Sequence, residues 1–408
     1  MKTPITPTLL AALLMVLVLP APVAAQDDLQ QRAERLARDA LIVDGHVDMP
    51  YRVYDEWADV SGAVPGNDFD APRARAGGLN APFMSIYLPA ETEITGEAKA
   101  IADRLIDLVE AQVARAPETF GIATSPAEVE KLVAEGRIAL PLGMENGAAI
   151  AGDLDNLRHF HTRGIRYITL AHSKSNHISD SSYDPVALWQ GLSPFGEKLV
   201  IEMNRLGVMI DVSHISDQAF RDVIETTKSP VVATHSSARH FTPGFERNAS
   251  DEIIEAIGKN GGVVMINFGS AFLTEEANQW QAKFSAARAS LTAQLGEADR
   301  DDPRVAAFSE AYREQNPYPY AGVGIVADHI ERVIDIAGID HVGLGSDYDG
   351  VGDSLPEGLK DASTYPNLIA ELLRRGHSEA DIRKILGENV MRVWREVEAV
   401  AKTKLTAL

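Results

Sequence analysis

Eight short apolar runs alternate with helix-patterned stretches through most of this chain, and six of them close on a side chain able to bind a metal or move a proton. The runs are Ala40 to His46, Ala81 to Leu88, Ala139 to Glu145, Arg166 to His172, Val208 to His214, Val231 to His235, Gly262 to Phe268 and His341 to Asp347. Between them lie amphipathic segments, among them Glu97 to Arg115, Ser125 to Glu135, Pro194 to Leu206, Ser216 to Thr227, Asp251 to Asn260 and Gly322 to Ala337. Buried strands alternating with helices indicate parallel βαβ units. Eight such units indicate an α/β fold of the (β/α)8 TIM-barrel type. The polar stretch from Thr274 to Asn316 reads as a helical hairpin inserted after strand seven, either a surface insertion or a lid. Asn367 to Lys402 reads as two or three closing helices, with Gly387, Glu388 and Asn389 as the turn between the last pair.

Residues 1–25 carry Lys2 as their only charge, an apolar core from Leu9 to Leu19, and the small residues Val23, Ala24 and Ala25 at their end. This is the pattern of a secretory leader cleaved before Gln26. Its apolar run falls short of the ~20 residues that span a bilayer. The expected mature chain, residues 26–408, is a single catalytic domain exported to the periplasm or beyond. The formal charge of −21 argues against nucleic acid or anionic lipid as a partner. With no Cys, disulfides, thiolate metal sites and Cys nucleophiles are excluded, so any metal must be held by His, Asp and Glu.

Active sites of such barrels lie at the carboxyl ends of the strands. There the sequence sets His46, Glu145, His172, His214, His235 and Asp347. In "LIVDGHVDMP", residues 41–50, the period of two aims His46 and Asp48 the same way, with Asp44 pointing alongside. Any one of these residues alone is commonly structural, but their joint placement is not. Oxygen and nitrogen donors without sulfur suit Zn²⁺ or a similar ion. One carboxylate able to bridge suits two ions about 3.5–4 Å apart. The reaction class implied is hydrolysis of an amide or ester by a metal-activated hydroxide. Of the eleven His, His159, His161, His329 and His377 fall on helical faces and are expected to be solvated, while His177, His240 and His341 suit loop or surface roles.

Taken in order, "DGHVD" (44–48), "GMENG" (143–147), "LAHSKSN" (170–176), "DVSH" (211–214), "ATHSSAR" (233–239), "RN" (247–248) and "GLGSDYDG" (343–350) resemble the membrane dipeptidase, or renal dipeptidase, family of the amidohydrolase superfamily. The resemblance runs from about residue 38 to about residue 395. It implies two zinc ions: His46 and Asp48 on the first, His214 and His235 on the second, with Glu145 bridging. It implies further that His172 contacts the substrate carbonyl, that Arg247 holds the free carboxylate of a dipeptide, and that Asp347 moves the proton from water to the departing amine. Asp349 is a weaker candidate for that last role, and Asp44 is read as orienting a ligand or capping its strand. The implied substrates are dipeptides, L,L and also L,D, cleaved without an acyl-enzyme. The chain departs from mammalian members in lacking Cys, in ending on "AKTKLTAL" with no apolar tail for a lipid anchor, and in its 274–316 insertion. No membrane attachment is therefore expected, and a homodimer is a family-based expectation.

Two rivals remain at this level. One is another binuclear metal amidohydrolase, such as an N-acyl amino acid deacylase, lactonase or phosphotriesterase, which would not need Arg247. The other is a catalytically silent periplasmic binding protein on the same barrel, against which the intact ligand set and Asp347 argue.

Overall fold

The computed structural model describes residues 23–296 and 302–405. The leader reading lies outside the described residues except for its last three, which open a helix running Val23–Asp39. Among the described residues no helix is long and apolar enough to cross a membrane.

Ten strands form among the described residues: β1 (Ile42–Val47), β2 (Leu79–Tyr87), β3 (Phe120–Ile122), β4 (Ile138–Leu140), β5 (Leu142–Glu145), β6 (Ile165–Thr169), β7 (Met209–Asp211), β8 (Val231–Ala233), β9 (Val263–Ile266) and β10 (Val342–Leu344). Eight of them close a parallel barrel in the order β1-β10-β9-β8-β7-β6-β5-β2. Every apolar run of the sequence supplies one barrel strand, so the (β/α)8 expectation holds. The run Ala139 to Glu145 is the exception in detail. It is cut at Pro141, whose missing N–H cannot continue a ladder. Its first half, β4, leaves the barrel and pairs with β3 outside it. Several strands also stop short of the expected ends: β6 closes at Thr169, three residues before His172, and β7 at Asp211, three before His214. Those ligand-type residues therefore ride on the first residues of loops.

The helical boundaries follow from local chemistry. Ser125, Ser193, Ser216 and Ser250 each accept a hydrogen bond from a backbone N–H in the first turn of the helix they open. Pro126 and Pro194 occupy first-turn positions where no N–H is needed.

Val43, Phe83, Tyr167, Met209 and Met265 fill the barrel interior, and Trp394 with Val390 and Met391 from the last helix packs beneath them as a plug. Gly387 leaves the helical region, at φ 177°, where the expected turn fell, and its kink separates the last two helices. A Cβ there would lie 2.6 Å from the Leu41 carbonyl oxygen, so only glycine lets the kink press against the foot of β1.

The insertion is a pair of helices, Glu275–Leu295 and Pro303–Gln315, after β9. Trp280 and Phe284 pack with Tyr312 and Tyr318, and the Arg313 guanidinium lies 5.3 Å from the Trp280 ring centre. Arg313 and Tyr320 both reach the Asp353 carboxylate, at 3.3 and 2.7 Å. The insertion is thereby fastened to the loop that follows β10.

Candidate active site

The carboxyl ends of the strands surround Glu145. Its Oε1 lies 3.1 Å from His214 Nε2, 3.2 Å from His235 Nε2 and 3.6 Å from His172 Nε2. His46 Nε2 is 3.4 Å from Glu145 Oε2 and 3.4 Å from Asp48 Oδ2. Asp347 closes the group beside His46 and Asp48. Of the residues singled out in the sequence, His46, Asp48, Glu145, His172, His214, His235 and Asp347 gather around one point, and Arg247 lies beside it.

The backbone is bent to achieve this. His214 and Asp347 adopt positive φ, 71° and 63°, and so does Asn146 beside Glu145, at 72°. Non-glycine residues in that region carry strain of order 1–3 kcal/mol each, held by surrounding structure. Here the restraints are visible: Ser182 N–H donates to the His214 carbonyl at 2.8 Å, and Asp347 N–H to the His46 carbonyl at 3.1 Å.

Ring orientation is set by partners that the sequence reading passed over. The Asp211 carboxylate accepts from Thr234 Oγ1 at 2.7 Å, and that hydroxyl lies 2.8 Å from His235 Nδ1. A hydroxyl that donates to Asp211 can only accept from His235, so the proton sits on Nδ1 and the Nε2 lone pair faces inward. Tyr167 crosses the barrel to place its hydroxyl 2.9 Å from His46 Nδ1. That crossing explains Gly143, where a Cβ would fall 2.0 Å from the Tyr167 ring. Asn267 donates to Asp347 Oδ2 at 2.7 Å. The available signal was a polar residue in, or just beyond, an otherwise apolar strand: Tyr167 in "IRYIT", Asp211 in "MID", Asn267 after "VVMI".

Asp44 does not point with His46 and Asp48. The β1 ladder is irregular between Asp44 and Val47, which breaks the period of two. Asp44 accepts instead from the His46 N–H at 2.9 Å, the Ser346 N–H at 3.0 Å and the Tyr365 hydroxyl, bracing two strand ends from outside the barrel. Asp349 turns away to take the N–H groups of Asp68 and Phe69. His329 corrects another expectation: rather than solvated it is fully buried, accepting from the Ala238 N–H at 3.0 Å and bonded to the Leu273 carbonyl at 2.9 Å.

The centre is electrostatically unfinished. His46 Nε2 and Asp48 Oδ1 are buried without a hydrogen-bond partner. His214 Nε2 and His235 Nε2 face each other at 2.8 Å. Burial pushes both rings well below the usual histidine range, reinforced by Arg247 and, at His235, by His46, so both are neutral with lone pairs available. Burial opposes charge on Glu145 as well, yet His46 and His172 outweigh it and hold the carboxyl well below its ordinary value. Burial also disfavours a charge on His46, but Tyr167, Glu145 and Asp48 overcome it and raise that ring well above its ordinary value. The bare protein therefore draws positive charge to this point. Carboxylates and neutral imidazoles converging on one point, with a proton on His46 as the only positive charge at their centre, fit divalent cations that would replace that proton, and His46, Asp48, Glu145, His214 and His235 are the residues that would hold them.

Arg247 is 3% exposed. Its terminal nitrogens donate to Ser236 Oγ at 2.7 Å and the His235 carbonyl at 2.8 Å, its Nε has no partner, and it lies 5.3 Å over the Phe272 ring. Among the described residues no carboxylate forms an ion pair with it. It stands beside the wall that His214, Tyr183 and Phe272 present to a mouth cavity of about 690 Å³.

A parallel eight-stranded barrel with a carboxylate and histidines converging at its carboxyl mouth defines a metal-dependent hydrolase of the amidohydrolase type. The sequence matches the model of the membrane dipeptidase family, peptidase family M19, over residues 30–407, and the chain belongs to that family. It is a metallo-dipeptidase by that membership. Solved structures agree. The probable dipeptidase PvdM from Pseudomonas aeruginosa is 28% identical, with 92% of this chain and 100% of that one covered and a TM-score of 0.79. The dipeptidase AC, a metallo peptidase, is 27% identical over 88% of this chain and 98% of its own, TM-score 0.72. A metallo peptidase from Rhodobacter sphaeroides, liganded with a phosphinate mimic of the dipeptide L-Ala-D-Ala, is 26% identical over 88% and 99%, TM-score 0.72.

Proposed function

We propose that the protein hydrolyses dipeptides with a free carboxyl end, L,L and L,D, using two zinc ions held by His46, Asp48, Glu145, His214 and His235. The observation that carries this reading is a pair of complementary features at one mouth: carboxylates and imidazoles converging on one point, and a buried Arg247 with no carboxylate partner among the described residues. Two divalent cations, when bound, supply activated water near neutral pH and a Lewis acid for the carbonyl.

The chain's own groups do the rest. Arg247, with its planar fork already oriented by Ser236 and the His235 carbonyl, receives the substrate carboxylate. His172, whose ring burial keeps neutral, is positioned to donate to the oxygen of the scissile carbonyl as charge develops there. Asp347 takes a proton from the attacking water and returns it to the departing nitrogen. In the metal-free protein burial, and after it the Asp48 charge, push Asp347 up to about 8, so its carboxyl is one that accepts and holds a proton readily. Acceptance of a D-residue at the second position is supported by the ligand of the Rhodobacter relative, which mimics L-Ala-D-Ala.

The test is amino-acid release from L,L and L,D dipeptides by the purified protein, before and after chelation and zinc restoration. Zinc-restorable release from both series is expected. Metal binding without release from any dipeptide would move the substrate to another amide or an ester.

A further inference from the structure

The mouth is much larger than the reaction centre requires, and its outer wall is the insertion. At about 690 Å³ it would leave most of its volume empty around a dipeptide of two small residues. Asn278, Gln281, Ala282 and Ser285 line it from the helix Glu275–Leu295. Their spacing of three and four is that of one helical face. The opposite face carries Ala277, Trp280 and Phe284 into the aromatic cluster that pins the insertion, while Arg313 and Tyr320 fasten it to Asp353. This wall is therefore fixed, and what it presents to the cavity is chemistry for a ligand.

That chemistry is acceptor-rich. Asn278 Nδ2 donates to the Ala271 carbonyl at 3.1 Å and Gln281 Nε2 to Ser285 Oγ at 3.3 Å, while neither amide oxygen receives a hydrogen bond from the described residues. Asp55 adds a carboxylate at the rim, against which Arg52 is the one cationic side chain lining the cavity among the described residues. Arg52 is itself engaged with Glu56, at 3.4 Å. Direction follows from the anchors. Arg247 stands by His214, Tyr183 and Phe272, so the carboxyl-terminal residue of a dipeptide lies on that side. The amino-terminal residue then lies over Asp48 and Asp347, where the cavity continues past Gly350 and Val351 to the insertion.

Resting on the dipeptide reading above, we infer that the Asn278, Gln281, Ala282 and Ser285 face selects the side chain of the substrate's amino-terminal residue, favouring long chains that end in hydrogen-bond donors, such as Lys, Arg and Gln. Acidic side chains of similar length meet the rim carboxylate of Asp55 and, as the one cation of the lining among the described residues, Arg52, which Glu56 already engages, and are disfavoured.

The experiment is kcat/KM on an X-Gly series and a Gly-X series, with X as Ala, Lys, Gln and Glu, for the zinc-loaded parent, Gln281→Leu and Ala282→Trp. Gln281 is partly exposed and Ala282 exposed on the cavity side, so folding is not at stake. In the parent, Lys-Gly and Gln-Gly should exceed Glu-Gly at least fivefold. Both variants should lose tenfold or more on Lys-Gly and Gln-Gly while staying within twofold of the parent on Ala-Gly and on every Gly-X. Losses spread evenly over both series, losses confined to Gly-X, or Glu-Gly equal to Lys-Gly in the parent would each overturn the inference while leaving the dipeptide reading standing. A parent that cleaves no dipeptide would remove that reading and this one with it.

Discussion

The two ends of the barrel are built to opposite rules. At the foot, Trp394, Met391 and Val390 close on Val43, Phe83 and Met209, and the packing is apolar but for the buried Trp394 Nε1. At the mouth, His46 Nε2 and Asp48 Oδ1 have no partner, two imidazole nitrogens confront each other, and two residues of the centre sit at positive φ. A lost contact at the foot should therefore cost stability alone. A lost group at the mouth should cost function, and can leave the apoprotein as stable as before, because the site is destabilised until ions enter it.

Glu145→Gln breaks the mouth most severely. Its amide lacks the carboxylate charge and turns a donor toward the place the ions would take, so metal content should fall and turnover with it, by roughly a thousandfold or more. Metal analysis alongside kcat decides the matter, and full occupancy with near-normal turnover would sink the bridging role. Trp394→Ala is the counterpart at the foot. Trp394 is fully buried, 5.3 Å from the Phe83 ring, and its removal leaves a cavity worth about 3–5 kcal/mol. Urea unfolding should show that loss while kcat of the folded fraction at low temperature stays near the parent value. A kcat collapse without destabilisation would erase the distinction between the two ends.

The same contrast explains what the sequence disclosed. Foot and walls follow from hydrophobic rhythm and capping, and so the eight barrel strands, the six helices and the insertion were readable from the pattern of apolar runs, Ser caps and Pro at first turns. Pro141 carried a warning that the third run would divide. The mouth was readable where a ligand-type residue closes an apolar run, as at His46, Glu145 and His235. It was unreadable where orientation depends on tertiary partners. Asp44 shares the alternation of His46 in sequence but loses it to a strand irregularity, and Asp211, Tyr167 and Asn267 act through residues distant in the chain. His329 looks like any polar residue of an amphipathic helix until Ala238 and Leu273 close over it.

Arg247→Ala sharpens the comparison within the mouth, since Arg247 contributes by charge and by bracing the His235 carbonyl. A charge-assisted contact with substrate is worth ~1.5–3 kcal/mol, or up to about a hundredfold. Free dipeptides should lose that much in kcat/KM, and carboxyl-blocked analogues should lose little. Equal losses on both would reassign Arg247 to holding the His235 loop.

His329, bonded to the segments that follow β8 and β9, gives the smallest effect, one that reads out in pH. Burial pushes its ring down to about 4, so in the folded protein it stays neutral where an unfolded histidine, near 6.5, takes a proton. Between those values the unfolded state binds more protons, and stability therefore falls as pH drops from about 6.5 toward 4. At pH 5 the difference amounts to about 2 kcal/mol. The structural reason is that Nδ1 must accept from the Ala238 N–H while Nε2 donates to the Leu273 carbonyl, a pattern that only the neutral ring can satisfy. His329→Gln should lower stability at pH 7 by ~1–2 kcal/mol through loss of that acceptor, and should flatten the dependence between pH 7 and 5. Urea unfolding of the metal-free parent and variant at both pH values isolates this ring, since every other histidine is common to the two proteins. Identical pH slopes would show that His329 titrates normally and that the tie between the His235 loop and the start of the insertion does not depend on its protonation state.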